Sequence, residues 1–451
     1  MKPEKDNTFC YFPFSQLALK NWWKDSGITS AAQCCNAIRP ENNNDPLNLN
    51  DELYNSSPTA TEIFNSGIMN ELRQSMINGE RHTACDVCWK TEDTGGNSYR
   101  MFSNPPYSYS TNEVFDHNEP KLQVIDFGFG ENCNLRCRMC HPGLSNKLRK
   151  DYKYFVDNNV DTAGVYGWDH NLQEDNSMHE IYASQTGHND VYGFDRNHQW
   201  RDILDNIHNL RSIKATGGET TLTEGFKELV DHALATGANK NMTLEFHTNA
   251  TKFTNDLVSK MLEFEYCHVS LSIDATDKAY EYIRYPMKWQ VLKNSVNNLI
   301  TKWHDHFEDK TCSKEIALDL TCVFSVYNAH MLHDLFEWWN DTCNNKPLIK
   351  TSFYIDKMWP DDKFTAVHNL SKKQKLEILD VLYKIDNYNM PNVSVTHIIE
   401  YVKNSLALTI TDAHRKNMLK EITAFDLSRG EFYGDFVHPS IVEYLETPIK
   451  D

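Results

Sequence analysis

The sequence lacks the features that mark membrane-spanning, secreted and nucleic-acid-coating proteins. No apolar run approaches the roughly 20 residues that a bilayer-spanning helix needs, and the first residues, MKPEKDNTF, lack the apolar core of a secretory signal. Basic residues are scarce, with 45 Lys and Arg against 63 Asp and Glu and a net charge of −18. This balance opposes nonspecific attraction to phosphate backbones and anionic lipid. We therefore expect a cytoplasmic protein that has neither a membrane nor a nucleic acid as its partner.

Cysteine is the most informative residue type in the composition. The 451 residues are 40% hydrophobic and 24% charged, which provides material for a buried core and excludes disordered and fibrous classes. Of twelve cysteines, eight precede residue 141. Cytosolic thiols stay reduced, so clustered cysteines favour metal binding or redox chemistry over disulfides. The other four lie apart in apolar or helical sequence and are interpreted as small buried hydrophobic residues, namely Cys267, Cys312, Cys322 and Cys343.

Residues 1–115 are predicted to form a small α+β module. Half-apolar stretches at Phe9–Leu19 and Ile28–Cys35, separated by a charged turn that ends at Gly27, are typical of a β-hairpin. After a polar loop, apolar side chains at helical spacing predict one helix over Thr61–Gly79.

Residues 120–360 alternate between strand-like and helical segments, which predicts an α/β fold with parallel strands covered by helices. The polar stretch 158–199 is too long for an ordinary connection and is either a surface insertion or a substrate-facing lid. Residues 361–451 are predicted to be a mainly helical carboxy-terminal extension with one short strand near Val393–Thr396. The six strands predicted in the middle region are Leu122–Phe129, Ile213–Ala215, Leu244–Phe246, Val269–Ile273, Ile316–Ser325 and Ile349–Ile355.

The strongest chemical signal is the loop that follows the first of these strands, FGFGENCNLRCRMCHPG. Cys133, Cys137 and Cys140 have C-x3-C-x2-C spacing, and three thiolates on one short loop suit a [4Fe–4S] cube whose fourth iron is open to a ligand. The alternative is a zinc site with His141 as its fourth ligand. Because His141 directly follows Cys140, its imidazole is poorly placed to share that metal, and the iron–sulfur interpretation is favoured.

With this motif, residues 120–330 closely resemble the radical S-adenosylmethionine (SAM) enzymes. The resemblance implies a partial (β/α)6 TIM-like barrel, a cluster held by the three cysteines, and SAM chelating the open iron through its amino and carboxylate groups. The family often has an aromatic residue just before the third cysteine. Met139 stands there instead, and its polarisable thioether can pack against adenine.

A second motif, Thr216-Gly217-Gly218-Glu219, ends the next strand. In the family, a Gly-Gly-Glu segment at this place binds the SAM amino group, so the resemblance assigns Gly217, Gly218 and Glu219 to the cofactor. Glycines let a backbone approach a ligand closely, and a carboxylate pairs with an ammonium. The alternative is a turn that starts a helix.

Later strand ends carry weaker matches to the family. His247–Thr251 resembles its Thr-Asn-Gly stretch, with Ala250 where glycine is usual. The resemblance places Ser272 and Asp274 at the SAM ribose, although Asp274 is about equally suited to cap the following helix. It also places Asn328, after the fifth strand, near the adenine and ribose.

The spacing of the amino-terminal cysteines resembles the twitch domain, a shortened SPASM domain, in the version found ahead of the barrel in certain bacterial and phage radical SAM proteins. The resemblance implies a second, auxiliary [4Fe–4S] cluster, which four thiolates from separate segments can hold. Its ligands are predicted to be Cys10, Cys34, Cys85 and Cys88, with Cys35 as the substitute for Cys34. A zinc ion held by the same thiolates is the alternative.

The resemblance implies an enzyme that cleaves SAM reductively to a 5′-deoxyadenosyl radical, which abstracts hydrogen from a substrate. It further implies a low-potential electron donor, a flavodoxin or a ferredoxin. An auxiliary cluster in relatives commonly serves peptide modification, so a peptide or protein is the leading substrate class. A small-molecule substrate and a zinc-stapled binding module without chemistry are the alternatives. Catalytic acids and bases are not assigned, and Arg284 is either an anion-holding residue or an ordinary salt-bridged arginine.

Overall fold

The computed structural model describes most of the chain, and no helix in that part is both long and apolar enough to cross a bilayer. Cys35, Cys312, the first two residues of the stretch predicted at Ile28–Cys35 and most of the polar stretch 158–199 lie outside the described residues. The described ranges are 3–4, 7–20, 30–34, 58–103, 115–142, 144–161, 198–308, 316–343, 349–358, 364–388, 393 and 395–447.

In the part of the chain that the structure describes, eight strands form one mostly parallel sheet with the order β2-β1-β3-β4-β5-β6-β7-β8. The α/β class and the six strands predicted between residues 120 and 360 are confirmed, with ends shifted by a few residues. All five residues of β3 are buried, as expected for a parallel strand covered on both faces. The strands are β1 (Gln16–Lys20), β2 (Ser30–Ala32), β3 (Val124–Gly128), β4 (Ser212–Thr216), β5 (Thr243–Thr248), β6 (Tyr266–Ser272), β7 (Ile316–Phe324) and β8 (Ile349–Lys357).

Helices follow the strands through the middle of the chain and dominate its carboxy-terminal part. In chain order they are α1 (Phe12–Ser15), α2 (Ala60–Phe64), α3 (Gly67–Ile77), α4 (Asp86–Asp93), α5 (Arg149–Asp157), α6 (His198–Asp205), α7 (Glu224–Thr236), α8 (Asn255–Met261), α9 (Asp277–Ile283), α10 (Trp289–Glu308), α11 (Leu332–Cys343), α12 (Lys372–Asp386), α13 (Thr396–Ser405), α14 (Asp412–Arg429) and α15 (Pro439–Glu446).

The predicted amino-terminal hairpin is present and extends the sheet beyond the six expected strands. Ala18 pairs with Ala32 in the antiparallel β1–β2 ladder, while Leu17 pairs with Ile125 in a parallel β1–β3 ladder. The hairpin strand is shorter than predicted, because Phe12–Ser15 forms one helical turn with proline in its first positions.

Two predicted elements are corrected. The single helix expected over Thr61–Gly79 is two helices, because Ser66 caps the second helix by accepting a hydrogen bond from the Met69 N–H. The short strand expected near Val393–Thr396 is one isolated bridge from Val393 to Phe353, and Thr396 already begins α13.

The chain divides into two compact units, each with its own apolar core. In the first unit, the Phe127 ring lies 5.1 Å from the Trp200 ring. In the second, Phe155 packs beside Phe425 in a buried cluster. The predicted domain boundaries near residues 115 and 360 stay predictions. The first unit comprises Met1–Asn132, Asn189–His247 and Asn255–His268, and the second comprises Cys133–His188, Thr248–Thr254 and Val269–Asp451.

Candidate metal and cofactor site

The three cysteines of the C-x3-C-x2-C motif belong to one short loop after β3, and they pack together. Cys133 and Cys137 are buried around Leu135, and the half-buried Met139 and Cys140 pack against them. The structure therefore brings together all three predicted ligands and the methionine that the sequence pairs with them.

A chain of polar side chains orients the start of this loop. The Asn249 amide donates to Asn134 Oδ1 at 2.8 Å and lies 3.9 Å from the Cys133 sulfur. Asn134 in turn donates to Thr251 Oγ1 at 2.9 Å, and Thr251 donates back to Asn249 Oδ1 at 2.6 Å. Asn146 accepts from the Cys133 N–H at 3.3 Å. Asn249 and Thr251 come from the stretch that resembles the family's Thr-Asn-Gly, whereas sequence reasoning missed Asn134 and Asn146.

Ala250, in the middle of this polar chain, adopts the left-handed conformation with φ +60°. Glycine reaches that region without steric cost, whereas other residues visit it rarely. Ala250 therefore adopts the left-handed conformation that glycine, the usual residue at this position in the family, adopts at no steric cost.

Backbone hydrogen bonds fix the second half of the loop on both sides of Cys137. The Arg136 N–H donates to the Tyr285 carbonyl at 2.7 Å, and the Arg138 N–H donates to the Ile283 carbonyl at 3.0 Å. Sequence reasoning missed both arginines, although two charges flanking a buried cysteine in the letters RCRMC are an unusual pattern.

Burial dominates the electrostatics of the loop. It raises the pKa of the Cys137 thiol to about 12, while the Arg284 guanidinium opposes the rise. A metal must therefore displace a proton when it binds this sulfur. One group of three potential metal-ligating side chains in the described part of the chain has all its ligand atoms within 4.8 Å of one another. Its members are His333, Asp334 and Glu337.

The Gly-Gly-Glu segment of the first unit lies beside the residues that lead into the cysteine loop. The Gly218 N–H donates to the Gly130 carbonyl and the Glu219 N–H to the Asn132 carbonyl, each at 2.7 Å. Gly217 has φ +146°, and a Cβ on Gly218 would lie 2.4 Å from the Asn132 carbonyl oxygen. Glycine is therefore required at Gly218 for two backbones to approach this closely.

The Glu219 side chain is buried and caps a short turn. Its Oε1 accepts from the Thr221 N–H at 3.2 Å and from the Thr221 hydroxyl at 2.6 Å, at the start of the 3-10 turn Thr220–Leu222. The turn that the sequence offered as an alternative is therefore present. A carboxylate accepts up to about four hydrogen bonds, and the contact of Glu219 with the SAM amino group stays a prediction.

Asp274 lies just beyond the end of β6 and forms a buried ion pair. Arg284 Nε donates to its Oδ2 at 2.5 Å, and the Val323 N–H donates to its Oδ1 at 2.8 Å. The capping alternative for Asp274 is wrong, because Thr276 is the N-cap of α9. For Arg284, the salt-bridged alternative is the one observed.

Asn328 is buried, and its side chain links the backbone after β6 to the backbone at the end of β7. Its amide donates to the carbonyls of Asp274 at 2.9 Å and Val323 at 2.8 Å. Ser272, the last residue of β6, is half-buried. The assignment of Ser272, Asp274 and Asn328 to a SAM nucleoside stays a prediction.

The amino-terminal cysteines lie in the first unit and gather around one region. Besides burial, the Cys88 thiol contributes to a raised pKa of Cys10, and the Cys10 and Cys88 thiols contribute to a raised pKa of Cys85. Burial raises the pKa of the Cys10 thiol to about 12 and raises that of Cys85 as well. Cys34 is buried directly after Gln33, whose amide lies 3.5 Å from the Cys85 sulfur. Cys10, Cys85 and Cys88 therefore lie close to one another. Cys34 directly follows Gln33, which contacts Cys85.

Comparison with known proteins finds one family model that matches part of the chain. Residues 128–338 match the model of the Radical SAM superfamily. No curated protein matches the sequence.

Solved structures that resemble the chain include native anSMEcpe with bound AdoMet and Cp18Cys peptide, at 14% identity over 61% of this chain and 63% of that chain, with a TM-score of 0.32. SuiB of Streptococcus suis bound to S-adenosylmethionine has 12% identity over 61% of this chain and 49% of that chain, with a TM-score of 0.31. These matches cover less than two thirds of either structure's own length.

Proposed function

We propose that this chain, an enzyme of the radical SAM type, holds a [4Fe–4S] cluster at Cys133, Cys137 and Cys140 and cleaves SAM reductively. One observation carries the proposal, namely a packed three-thiol loop at the end of a buried parallel strand, inside the segment that matches the family. When bound, such a cluster supplies the electron that splits SAM into methionine and a 5′-deoxyadenosyl radical, which abstracts hydrogen from the substrate.

The donor set fits a cluster with one open iron. A cube held by the three thiols of this loop would leave one corner for an outside group. Burial of Cys133 and Cys137 excludes water from two of the sulfurs, and the Asn249 amide near the Cys133 sulfur offers it a hydrogen-bond donor. The half-buried Cys140 and Met139 leave part of the loop exposed for a ligand.

A second cluster at Cys10, Cys85 and Cys88, completed by Cys34, is part of the proposal. Its support is the 3.5 Å contact between the amide of Gln33, which precedes Cys34, and the Cys85 sulfur, together with the buried Arg100–Glu92 ion pair, whose N–O distance is 2.6 Å. Arg100 also donates to the Phe9 carbonyl at 2.9 Å, next to Cys10. The resemblance of this module to auxiliary-cluster domains makes a peptide or protein the proposed substrate class and a flavodoxin or ferredoxin the proposed electron donor.

Anaerobic reconstitution followed by a SAM-cleavage assay tests this function. Wild-type protein with a chemical reductant is expected to form 5′-deoxyadenosine, and Cys133→Ala or Cys137→Ala is expected to abolish it, because the cluster loses a ligand. Cys267→Ala, which removes a buried thiol of β6 outside both cysteine sets, is the matched control and should keep activity.

Cys85→Ala separates the two sites in the same assay. It is expected to lower bound iron and sulfide by about half while cleavage of SAM without substrate continues, because the auxiliary thiols lie in a different set. Zinc in place of iron, or 5′-deoxyadenosine that persists in Cys137→Ala, contradicts the proposal.

A further inference from the structure

We propose that helix α14 positions the cluster-binding loop through two arginines that flank Cys137, and this inference rests on the proposed function above. Arg136 and Arg138 lie on either side of Cys137 in sequence. The Arg138 guanidinium contacts carboxylates on α14 and just beyond it. The Arg136 guanidinium contacts Asp151, which in turn pairs with Arg429 of α14. The two arginines are therefore positioning residues for Cys137 rather than ligands themselves.

Arg138 is the more deeply anchored of the two. It is 1% exposed, and its Nη2 lies 2.7 Å from Asp426 on α14 and 2.7 Å from Glu431 just beyond it. Its Nε donates to the Tyr282 carbonyl at 3.0 Å, and the guanidinium stacks 3.5 Å from the Tyr282 ring. Only the planar, multi-donor fork of arginine serves two carboxylates, a carbonyl and an aromatic face together.

Arg136 is anchored through a shared carboxylate. Its Nη1 lies 3.0 Å from Asp151 Oδ1, and Arg429, the last residue of α14, lies 3.0 Å from Asp151 Oδ2. Asp151 is fully buried and also accepts a hydrogen bond from the Ser428 hydroxyl at 2.5 Å. The carboxylate thus joins the loop to the end of α14.

The network balances its charges close to Cys137. Three arginines, Arg136, Arg138 and Arg429, meet three carboxylates. Removing one member of a buried ion set leaves an uncompensated charge. Net charge around an iron–sulfur cluster helps to set its reduction potential, and added positive charge favours the reduced, more negative cluster. A balanced network therefore keeps the potential low, as the reductive cleavage of SAM requires.

Helix α14 also carries a buried arginine whose hydrogen-bond partners, Asp412 and the Tyr444 carbonyl, lie outside the cysteine loop. Arg415, on the same helix, is also buried but pairs with Asp412 of its own first turn at 2.8 Å. It is therefore a matched control for changes that perturb α14 without perturbing Cys137.

Redox titration of the reconstituted full-length chain, followed by electron paramagnetic resonance (EPR), tests the inference. The signal that responds to added SAM identifies the cluster of the three-cysteine loop. Asp426→Asn, which leaves positive charge beside Arg138, is expected to move the midpoint potential of that signal upward. Arg138→Lys keeps the positive charge but loses the planar guanidinium. We expect it to alter the EPR line shape and to lower iron retention, with a smaller shift in midpoint potential than Asp426→Asn causes. Arg415→Lys should match wild type in both.

The outcomes separate the two proposals. Wild-type protein without a SAM-responsive signal overturns the proposed function. A wild-type signal that Asp426→Asn and Arg138→Lys leave unchanged, relative to Arg415→Lys, overturns the positioning role alone. If Asp426→Asn does not fold, the line shape and iron retention of Arg138→Lys decide the question in the same way.

Discussion

At the scale of single residues, the loop and its surroundings depend on close backbone approaches and on a few amides. Gly218 lies so near Asn132 that no side chain fits between them. The Asn249 amide donates a hydrogen bond to Asn134 and lies 3.9 Å from the Cys133 sulfur. These residues fix the geometry at the start of the cysteine loop without carrying a charge.

Gly218→Ala is expected to destabilise the protein by about 1 to 3 kcal/mol, because the added methyl group meets backbone atoms that cannot move aside as a flexible side chain would. Chemical denaturation of the metal-free protein measures the effect. Gly67→Ala is the control, since a Cβ there has no neighbour within 4 Å and Gly67 opens helix α3. Equal stability of the two variants would contradict the close contact.

Individual residues also show what sequence reasoning could reach. The gathering of the three cysteines in one loop was predictable because their spacing is itself the signal, whereas their role as cluster ligands stays a prediction. The sequence does not decide whether Arg284 holds a ligand or pairs with a protein carboxylate. A local pattern does not show which partner a buried charge finds, and the partner in the structure is Asp274. Arg138 was missed because Asp426, its partner, lies 288 residues away along the chain.

At the scale of secondary-structure elements, alternation of apolar segments predicted the strands of the sheet well. Apolar residues recur in the predicted strands and turn residues lie near their ends, and local sequence displays both features. The parallel pairing of β1 with β3 could not be predicted in the same way, since a pairing between strands more than 100 residues apart leaves no local pattern. The break between α2 and α3 was predictable from the capping serine, Ser66.

A pair of histidines joins the elements of the carboxy-terminal part. His330 stacks on His438, which precedes α15, with ring centres 4.5 Å apart. Its Nε2 lies 3.2 Å from Glu377 on α12, and its side chain is 3% exposed. Burial lowers the pKa of His330 from 6.5 to about 4, with His438 adding to the effect and Glu377 opposing it. Burial lowers the pKa of His438 as well.

Acidification should therefore weaken these contacts between elements. Above pH 6.5 His330 is neutral in both folded and unfolded chains, so it adds no pH dependence. Between pH 6.5 and about 4 the unfolded chain binds a proton that the folded chain does not, so stability falls as the pH falls. The loss is at most about 3 kcal/mol.

Denaturation of the metal-free protein at pH 7 and pH 5 measures this effect. His330→Gln, which retains a donor for Glu377, should lose part of the acid sensitivity. His208→Gln replaces an exposed histidine and should behave like wild type. If His330→Gln and wild type lose stability equally on acidification, the buried neutral histidine is not the cause.

At the scale of the whole molecule, the segment after the family match contributes to the site within the second unit. Residues 128–338 match the family, whereas Asp426, Arg429 and Glu431 lie beyond that span and hold the arginines of the cysteine loop. The carboxy-terminal extension was predictable as helical. Its attachment to the loop was not, because it depends on tertiary ion pairs that no sequence spacing shows.

The EPR spectrum of the anaerobically reconstituted and reduced chain, recorded with and without SAM, tests the central claim most directly. We expect a [4Fe–4S] signal that changes when SAM is added, with the change lost in Cys137→Ala and kept in Cys85→Ala. A reconstituted chain whose iron–sulfur signal ignores SAM, or responds to it equally in Cys137→Ala, would contradict the account.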